Sequence, residues 1–273
     1  MKISVSNITW KEDPKYFPEF LDFISNKGCS GVELAPSLIW KEPIESTAEE
    51  RKNLVKLVKE KKLEIVGFHS LLFTRPDLKL FLNEESRKDT KNYIKKLIKL
   101  CSDLGGKQLI FGSPRNRMLH GKKYKDCLDQ SIEDFYDIAE DSKKENVIFC
   151  IEALGPNDTE FIKSFDESGE IVKKVDHNNF KLHLDTKVIF ASKEEPYNLI
   201  NKYKNLIQHV HVGDEGLKEP GTINFNHSKI GEALRKINYD SYISLEIRRN
   251  INDISGTVNR GISFLKENYI GKV

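Results

Sequence analysis

The feature that most constrains the fold of this chain of 273 residues is a set of eight short apolar segments rich in β-branched residues. Each segment has the composition of a strand that is buried on both faces of a parallel sheet. Successive segments begin 27 to 43 residues apart, which leaves room for a helix and two loops between neighbouring strands. The predicted strands begin near Lys2, Ser30, Glu64, Lys107, Val147, Phe180, Ile207 and Ser241.

The segments between these strands have helical periodicity, most clearly at residues 83–104 and 124–145. Asn83 is a suitable N-cap for the first of these helices, and Gly105 follows its last apolar residue. Apolar residues recur at three- and four-residue spacing within both segments, which predicts one buried stripe on each helix. Strands that alternate with helices in this way indicate a parallel α/β fold.

Eight strand–helix units predict a single (β/α)₈ TIM barrel, with residues 1–273 forming one domain. A doubly wound open sheet is the alternative, and it calls for a glycine-rich phosphate loop after the first strand. The segment KISVSNITWKED, at residues 2–13, contains no glycine. No Gly/Ser-rich linker or change of composition divides the chain. The barrel is therefore favoured.

The composition of the chain excludes several kinds of partner. The 44 basic and 42 acidic residues leave a formal net charge of +2, which provides no electrostatic footprint for nucleic acid or for an anionic membrane. No apolar run approaches the length of a membrane span, and MKISVSNITW lacks the apolar core of a secretory signal. The cysteines form no CxxC pair and are predicted to be reduced core residues, which indicates a cytoplasmic protein. They are Cys29, Cys101, Cys127 and Cys150.

Ionisable side chains end the last four predicted strands, at Glu152, Asp185, His211 and Glu246. In a barrel of this kind, chemistry gathers at the carboxyl ends of the strands, and these four residues are expected at similar heights on that rim. Taken singly, a carboxylate at a strand end often caps the next helix or pairs with a lysine. Three carboxylates at one barrel mouth, however, repel each other by about 4 kcal/mol per pair at about 4 Å and an effective dielectric near 20.

A divalent cation removes this repulsion, so the four residues predict a metal site. Oxygen-rich ligation with one imidazole suits Mn²⁺, Mg²⁺ or Co²⁺ better than a Cys-rich zinc site, and Mn²⁺ is the favoured ion, with Zn²⁺ also compatible. The stretch KLHLDTK, at residues 181–187, alternates apolar and ionisable side chains. As a strand it would place His183, Asp185 and Lys187 on one face, with His183 supporting the site and Lys187 balancing its charge.

With these residues, the stretch from HVHVGDEG to YISLEI resembles the xylose isomerase-like barrels, a family of sugar phosphate isomerases and epimerases that includes the tagatose and psicose 3-epimerases. The resemblance covers essentially the whole chain and is strongest at residues 147–248. It implies that the four residues at the strand ends bind a divalent metal. It also implies that Glu152 and Glu246 exchange a proton with a small sugar, or a sugar-derived substrate, through an enediolate. A homo-oligomer is a further expectation of the family.

Two positions depart from the pattern of the ketose epimerases. Those enzymes usually place a histidine three residues after the aspartate of strand six, where this chain has Val188. Many also carry an arginine in the loop after strand seven, whereas the corresponding loop here, DEGLKEPG, contains none.

Further residues on the same rim are candidates for substrate contact or for support of the metal ligands. Glu33 and His69 close the second and third predicted strands, and His209 lies one layer below His211. Lys187 and Arg248 bring positive charge, either to bind a carboxylate or phosphate of the substrate or, as slightly favoured, to offset the acidic cluster. Trp10 is expected to pack beneath a loop rather than to stack on a sugar.

Other functions remain open at this point. An aldose–ketose isomerase would use the same metal and the same enediolate, and a dehydratase of polyols or keto-inositols would use the same four residues to expel water. A barrel that binds sugar without turnover is a third alternative. A DNA-repair enzyme like endonuclease IV is disfavoured, because the D-x-x-H pattern after strand six is missing and the net charge is nearly zero.

Overall fold

A computed structural model describes residues 1–193 and 195–271. Eight parallel strands close into a barrel in the order β1 to β8, and β1 pairs with β8 through Lys2 and Tyr242. This closure confirms the predicted TIM barrel over the open sheet, and every strand begins within one residue of its predicted start. The strands are β1 Lys2–Ser6, β2 Gly31–Leu34, β3 Glu64–Phe68, β4 Gln108–Phe111, β5 Ile148–Glu152, β6 Phe180–Asp185, β7 Ile207–Val212 and β8 Tyr242–Leu245.

Helices surround the barrel and follow the strands in sequence. The two predicted in detail are confirmed: α3 starts after Asn83, whose side chain accepts a hydrogen bond from the Ser86 backbone N at 2.8 Å. Within residues 1–193 and 195–271, no helix is both long and apolar enough to cross a bilayer. The helices are α1 Phe17–Asn26, α2 Ala48–Glu60, α3 Glu84–Asp103, α4 Tyr124–Lys144, α5 Phe165–Val175, α6 Thr186–Ala191, α7 Pro196–Lys202, α8 His227–Lys236 and α9 Ile254–Leu265, and α9 runs into a π-helical turn, Lys266–Ile270.

Aromatic side chains fix α4 against the strands that carry half of the candidate site. Phe111, Phe149 and Phe180 project from β4, β5 and β6 and are fully buried. Phe135 of α4 packs on Phe180 with ring centroids 5.1 Å apart, and Phe149 lies 5.7 Å from Phe111. Each buried phenylalanine contributes about 1.5–3 kcal/mol of hydrophobic stabilisation. This layer therefore holds β5 and β6 firmly in place.

Inside the barrel, the register of the strands lines up polar side chains. The ladder between β6 and β7 shifts by one residue between Leu182 and His183. Beyond this shift, His183 pairs with His209, and Asp185 pairs with His211. Paired residues of parallel strands project to the same side of the sheet. The four side chains therefore form two successive rows within the barrel.

The predictions for the cysteines and for Trp10 agree with the structure. Each of the four cysteines is a buried free thiol. Trp10 is buried and packs on Phe20 and Phe23, with ring centroids 5.5 Å and 5.0 Å away. The indole therefore belongs to the packing beneath the loop after β1.

Candidate active site

The four residues predicted to end the last strands lie together at one mouth of the barrel. Glu152 and Asp185 are the final residues of β5 and β6, His211 lies near the end of β7, and Glu246 directly follows β8. All four side chains are buried. We refer to these four residues, together with Lys187, as the mouth cluster.

The position of Lys187 corrects one expectation from the sequence. Strand β6 ends at Asp185, and Lys187 lies in the first turn of α6 rather than on the strand. The reason is local, because Asp185 acts as the N-cap of α6, and its Oδ1 accepts a hydrogen bond from the Lys187 backbone N at 2.9 Å. The ammonium nevertheless returns to the barrel mouth and forms a short contact with Asp185 Oδ2.

Lys187 also contacts the two glutamates of the mouth cluster. Its Nζ lies 3.0 Å from Glu246 Oε2 and 3.4 Å from Glu152 Oε1. One ammonium therefore faces carboxylates from three different strand ends. At this position the ammonium can offset part of the charge of the acidic cluster.

Glu33 supports the histidines of β7 from across the barrel. It lies within β2, and its Oε2 is 2.8 Å from His211 Nε2 while its Oε1 is 3.2 Å from His209 Nε2. On the other side of His209, Nδ1 accepts a hydrogen bond from Gln108 Nε2 at 2.7 Å, which leaves the proton of His209 on the nitrogen that faces Glu33. Glu33 and His209 thus orient His211.

A group of oxygen and nitrogen ligands converges here. One ligand atom from each of Glu152, His183, Asp185 and His211 lies within 4.8 Å of the others. Both ring nitrogens of His183 are buried and have no hydrogen-bond partner within residues 1–193 and 195–271. Carboxylates and imidazoles are the ligands that Mn²⁺, Co²⁺ and Zn²⁺ accept in proteins. The residues present therefore fit a divalent cation. His183, which the sequence placed in support of the site, belongs to this group, whereas the predicted ligand Glu246 does not.

The two glutamates of the mouth cluster have pKa values displaced in opposite directions. Burial, reinforced by the carboxylates of Asp185 and Glu246, raises the pKa of Glu152 to about 8 against the opposing effect of Lys187. Burial alone would also raise the pKa of Glu246, but Lys187 and His211 outweigh it and hold that pKa well below its ordinary value. Pairs of carboxyl groups whose pKa values are driven apart in this way can divide the roles of acid and base.

The pKa values of the basic groups of the mouth cluster are raised by the neighbouring carboxylates. Burial would lower the pKa of Lys187, but the carboxylates of Asp185, Glu246 and Glu152 raise it well above its ordinary value. Burial would likewise lower the pKa of His211, but Glu33 and Glu246 raise it well above the usual histidine range. The protein thus brings its own positive charge to the acidic barrel mouth.

A cavity of about 450 Å³ opens above the mouth cluster. His69 lines it directly after β3, with Nε2 2.5 Å from Ser6 Oγ and Nδ1 3.2 Å from Glu246 Oε1. Arg248 also lines the cavity and is exposed. The loop after β7 contributes Glu215, Gly216 and Leu217. The volume lies in the range typical of small-molecule sites.

Two features that sequence reasoning missed hold Glu152 in place. Arg117 is fully buried, and its Nη1 donates a hydrogen bond to the Glu152 carbonyl oxygen at 2.8 Å. Burial lowers the pKa of Arg117 to about 10. Beside the carboxylate, a Cβ added to Gly112 would lie 2.2 Å from Glu152 Oε2. No sequence pattern marks Arg117 as buried, because an arginine in a loop is ordinarily exposed.

A second buried cluster, also missed, lies beneath the loop after β7. His227 Nε2 is 2.8 Å from Asp214 Oδ1, and His227 Nδ1 is 2.7 Å from the Tyr269 hydroxyl. Asp214 Oδ2 accepts hydrogen bonds from the backbone N of Thr222 at 2.7 Å and of Ile223 at 3.0 Å. We refer to Asp214, His227 and Tyr269 as the Asp214 cluster. It ties the cavity-lining loop to α8 and to the π-helical turn.

Comparison with known proteins places this geometry in a family context. The profile of the family described as the xylose isomerase-like TIM barrel matches residues 21–268. The D-psicose 3-epimerase of Ruminiclostridium cellulolyticum is 30% identical over 118 residues, which is 43% of this chain and 40% of the length of that enzyme. The aligned part of the chain thus spans about two fifths of this curated relative.

Solved structures show the same fold over nearly the whole chain. The D-psicose 3-epimerase from Clostridium cellulolyticum H10, crystallised with D-tagatose, superposes with a TM-score of 0.83 at 18% identity and covers 98% of this chain and 99% of its own. The 3-keto-D-glucoside 4-epimerase from E. coli gives a TM-score of 0.81 at 15% identity, covering 97% and 99%. With the closed barrel and the family profile in agreement, the chain belongs to the xylose isomerase-like TIM barrel family.

Proposed function

We propose that this protein is a divalent-metal-dependent isomerase or epimerase of a sugar or sugar phosphate. The observation that carries the proposal is the placement of Glu152 and Glu246 on the wall of one small-molecule cavity. The strands that present them, β5 and β8, are separated in the barrel by β6 and β7. Two carboxyl groups so placed can address a bound substrate from two sides, as an exchange of configuration at one carbon requires.

The proposed metal ligands are Glu152, Asp185, His211 and Glu246, with His183 as an adjacent imidazole. For Glu152, Asp185, His211 and His183 the support is the convergence of their carboxylate and imidazole atoms, together with the His183 ring, which has no hydrogen-bond partner among the described residues. Glu246 is included because its Oε2 lies 3.3 Å from His211 Nδ1. When bound, a divalent cation would polarise a carbonyl group and so acidify the neighbouring C–H bond. Mn²⁺ is the ion we propose, with Mg²⁺, Co²⁺ and Zn²⁺ as alternatives.

The chain's own residues supply the proton transfer. Glu246, whose pKa is held low by Lys187 and His211, is proposed to take the proton from the substrate carbon. Glu152, whose pKa is raised by burial, is proposed to deliver a proton on the other face. His69 and Arg248 line the same cavity and are proposed to bind substrate hydroxyls or an anionic group. In the reverse reaction the two glutamates exchange roles.

The substrate class is proposed from the cavity and from the relatives. A volume of about 450 Å³ accommodates a monosaccharide or its phosphate. The relatives are named as epimerases of psicose and of a 3-keto-glucoside, both of them carbohydrates with a carbonyl group. Four free, buried cysteines are compatible with a reducing compartment, and we place the activity in cytoplasmic carbohydrate metabolism, carried out by a homo-oligomer.

Proton exchange with solvent tests the proposal. The Mn²⁺-loaded protein is incubated in D₂O with a panel of ketoses, aldoses and keto-inositols, and products are analysed by NMR and mass spectrometry. We expect deuterium at a carbon next to a carbonyl, with an epimeric or isomeric product. Glu152→Gln should abolish formation of the epimer, because the proposed proton donor is lost, whereas Glu64→Gln, at the opposite end of the barrel, should retain it.

Other outcomes separate the remaining functions. Loss of water from a keto-inositol would identify a dehydratase. Calorimetric binding of a sugar without exchange under any divalent metal would identify a binding protein. Either result, or the absence of exchange with every substrate, would refute the proposed epimerase.

A further inference from the structure

The position of Lys187 has a consequence for how the site takes up a metal. Its side chain is 16% exposed, and its ammonium contacts Asp185, Glu246 and Glu152. These carboxylates lie at the ends of β6, β8 and β5. The side chain of Asp185 is 2% exposed, that of Glu246 is 9% exposed and that of Glu152 is 10% exposed. An ammonium is retained among buried carboxylates only when it is paired with them. Lys187 is thus a component of the buried cluster rather than a surface lysine.

The ammonium lies where a metal ion would need to lie. Divalent cations bind carboxylate oxygens at about 2.0–2.2 Å, well inside the distance at which an ammonium nitrogen contacts the same oxygens. The Nζ of Lys187 already contacts oxygens of Glu152, Asp185 and Glu246, three of the four proposed ligands. Two cations that share these oxygens would repel each other at close range. The ammonium and the metal ion therefore exclude each other.

Lys187 has room to leave this position without unfolding the helix that carries it. Its backbone is fixed by the cap from Asp185, whereas its side chain lines the cavity of about 450 Å³. Rotation of the flexible four-carbon stem would carry the ammonium from the carboxylates into that cavity. The same movement would expose the carboxylate oxygens to an incoming ion.

We propose that Lys187 is a built-in counter-ion that competes with the divalent metal for Glu152, Asp185 and Glu246. The ammonium offsets part of the carboxylate charge in the metal-free protein and must move into the cavity when the ion binds. This inference rests on the proposed metal site but not on the proposed reaction. It predicts that the native chain binds divalent metal more weakly than the same site without the ammonium.

The test is metal affinity at one fixed pH, measured by calorimetric titration of the metal-free protein with MnCl₂. Lys187→Met removes the charge and keeps the length of the side chain, and we expect its affinity for Mn²⁺ to be at least about tenfold higher than that of the native protein. Lys187→Arg keeps the charge and should bind no more tightly than the native protein. The affinity of Lys181→Met, which changes a lysine at the amino end of β6, should lie within about twofold of that of the native protein.

A crystal structure of the Mn²⁺-loaded native protein gives a second measurement, should Lys187→Met not fold. The anomalous signal should place the ion among the carboxylates, with the Lys187 ammonium moved into the cavity. Equal or weaker affinity of Lys187→Met, no Mn²⁺ binding by either protein, or an ion bound while the ammonium keeps its three contacts would each overturn the inference. Because the readout is binding, an absence of sugar exchange would refute the proposed reaction without refuting the competition.

Discussion

Two buried clusters of this protein combine carboxylates with histidine, and they differ in how completely their polar atoms are paired. In the Asp214 cluster, both oxygens of Asp214 accept hydrogen bonds, and both ring nitrogens of His227 have partners. In the mouth cluster, the contact from Glu152 to Lys187 is 3.4 Å long, and beside this cluster the ring nitrogens of His183 have no hydrogen-bond partner among the described residues. One cluster is saturated, and the other leaves donors and acceptors available.

The difference indicates what each cluster does. A saturated buried network rigidifies the fold, and removing one member leaves the others unpaired at a large energetic cost. Unpaired buried groups lower stability and are retained where they meet a ligand. The Asp214 cluster should therefore act mainly on stability, and the mouth cluster mainly on activity.

The largest expected effect is on activity at the barrel mouth. Replacing Glu246 with Gln removes the proposed base, so the rate of deuterium exchange into substrate should fall by about 10³-fold. The free energy of unfolding should fall by no more than about 2 kcal/mol, because the amide oxygen of Gln can still accept a hydrogen bond from Lys187, which keeps its contacts with Asp185 and Glu152. Exchange kinetics and urea denaturation on the same preparation measure both quantities. A wild-type exchange rate, or a loss of stability above about 3 kcal/mol, would contradict this assignment.

The reciprocal variant, Asp214→Asn, should act on stability. An amide presents one oxygen where the carboxylate presents two, so a donor from the buried His227 or from the partly buried Thr222–Ile223 backbone loses its acceptor. We expect the free energy of unfolding to fall by about 3 kcal/mol. Urea denaturation analysed by linear extrapolation measures it.

A matched control for this variant is Asp137→Asn. Asp137 pairs with Lys91 at the surface, its side chain is 63% exposed, and Lys91 keeps a second partner in Asp134. Loss of this ion pair should lower the free energy of unfolding by less than about 0.5 kcal/mol. Equal effects at positions 214 and 137 would remove the distinction between the Asp214 cluster and an ordinary surface ion pair.

A smaller effect on stability is expected when the pH is lowered. Burial favours a higher pKa for Asp214, but hydrogen bonds from His227, from the Ile223 backbone and from Thr222 outweigh it and lower that pKa. A carboxyl group whose pKa is lower in the folded state stabilises fully above its unfolded-state pKa of about 3.9, and this contribution is lost as the pH falls through the folded-state value. The stability difference between native protein and Asp214→Asn should therefore be constant above about pH 5 and shrink below about pH 4. A difference that grows on acidification would have the wrong sign.

The sequence was sufficient for the architecture. Eight apolar segments located all eight strands, because a strand buried on both faces is apolar along its whole length. The four residues at the strand ends were predicted to meet because the carboxyl ends of parallel strands share one rim, and the structure brings Glu152, Asp185, His211 and Glu246 to that rim. Their metal ligation stays a prediction.

Interactions that depend on side-chain direction could not be derived in the same way. Period-two alternation through DTK predicts that Lys187 lies on the strand, whereas Asp185 acts as an N-cap and ends the strand there. Asp214 and Tyr269 are 55 residues apart in sequence, and His227 joins them. Arg117 is buried because of the path of its loop, and the spacing of apolar residues in the sequence does not predict that path.

Gly112 limits how this barrel can be adapted to other substrates. The oxygen of Glu152 fills the space that any side chain at position 112 would need, so even a methyl group there would push the proposed acid out of line. Libraries meant to widen or reshape specificity should therefore leave this position fixed. Leu217 and Ala191 border the same cavity from loops and helix ends, and variation there can alter the binding space without displacing the proton donor.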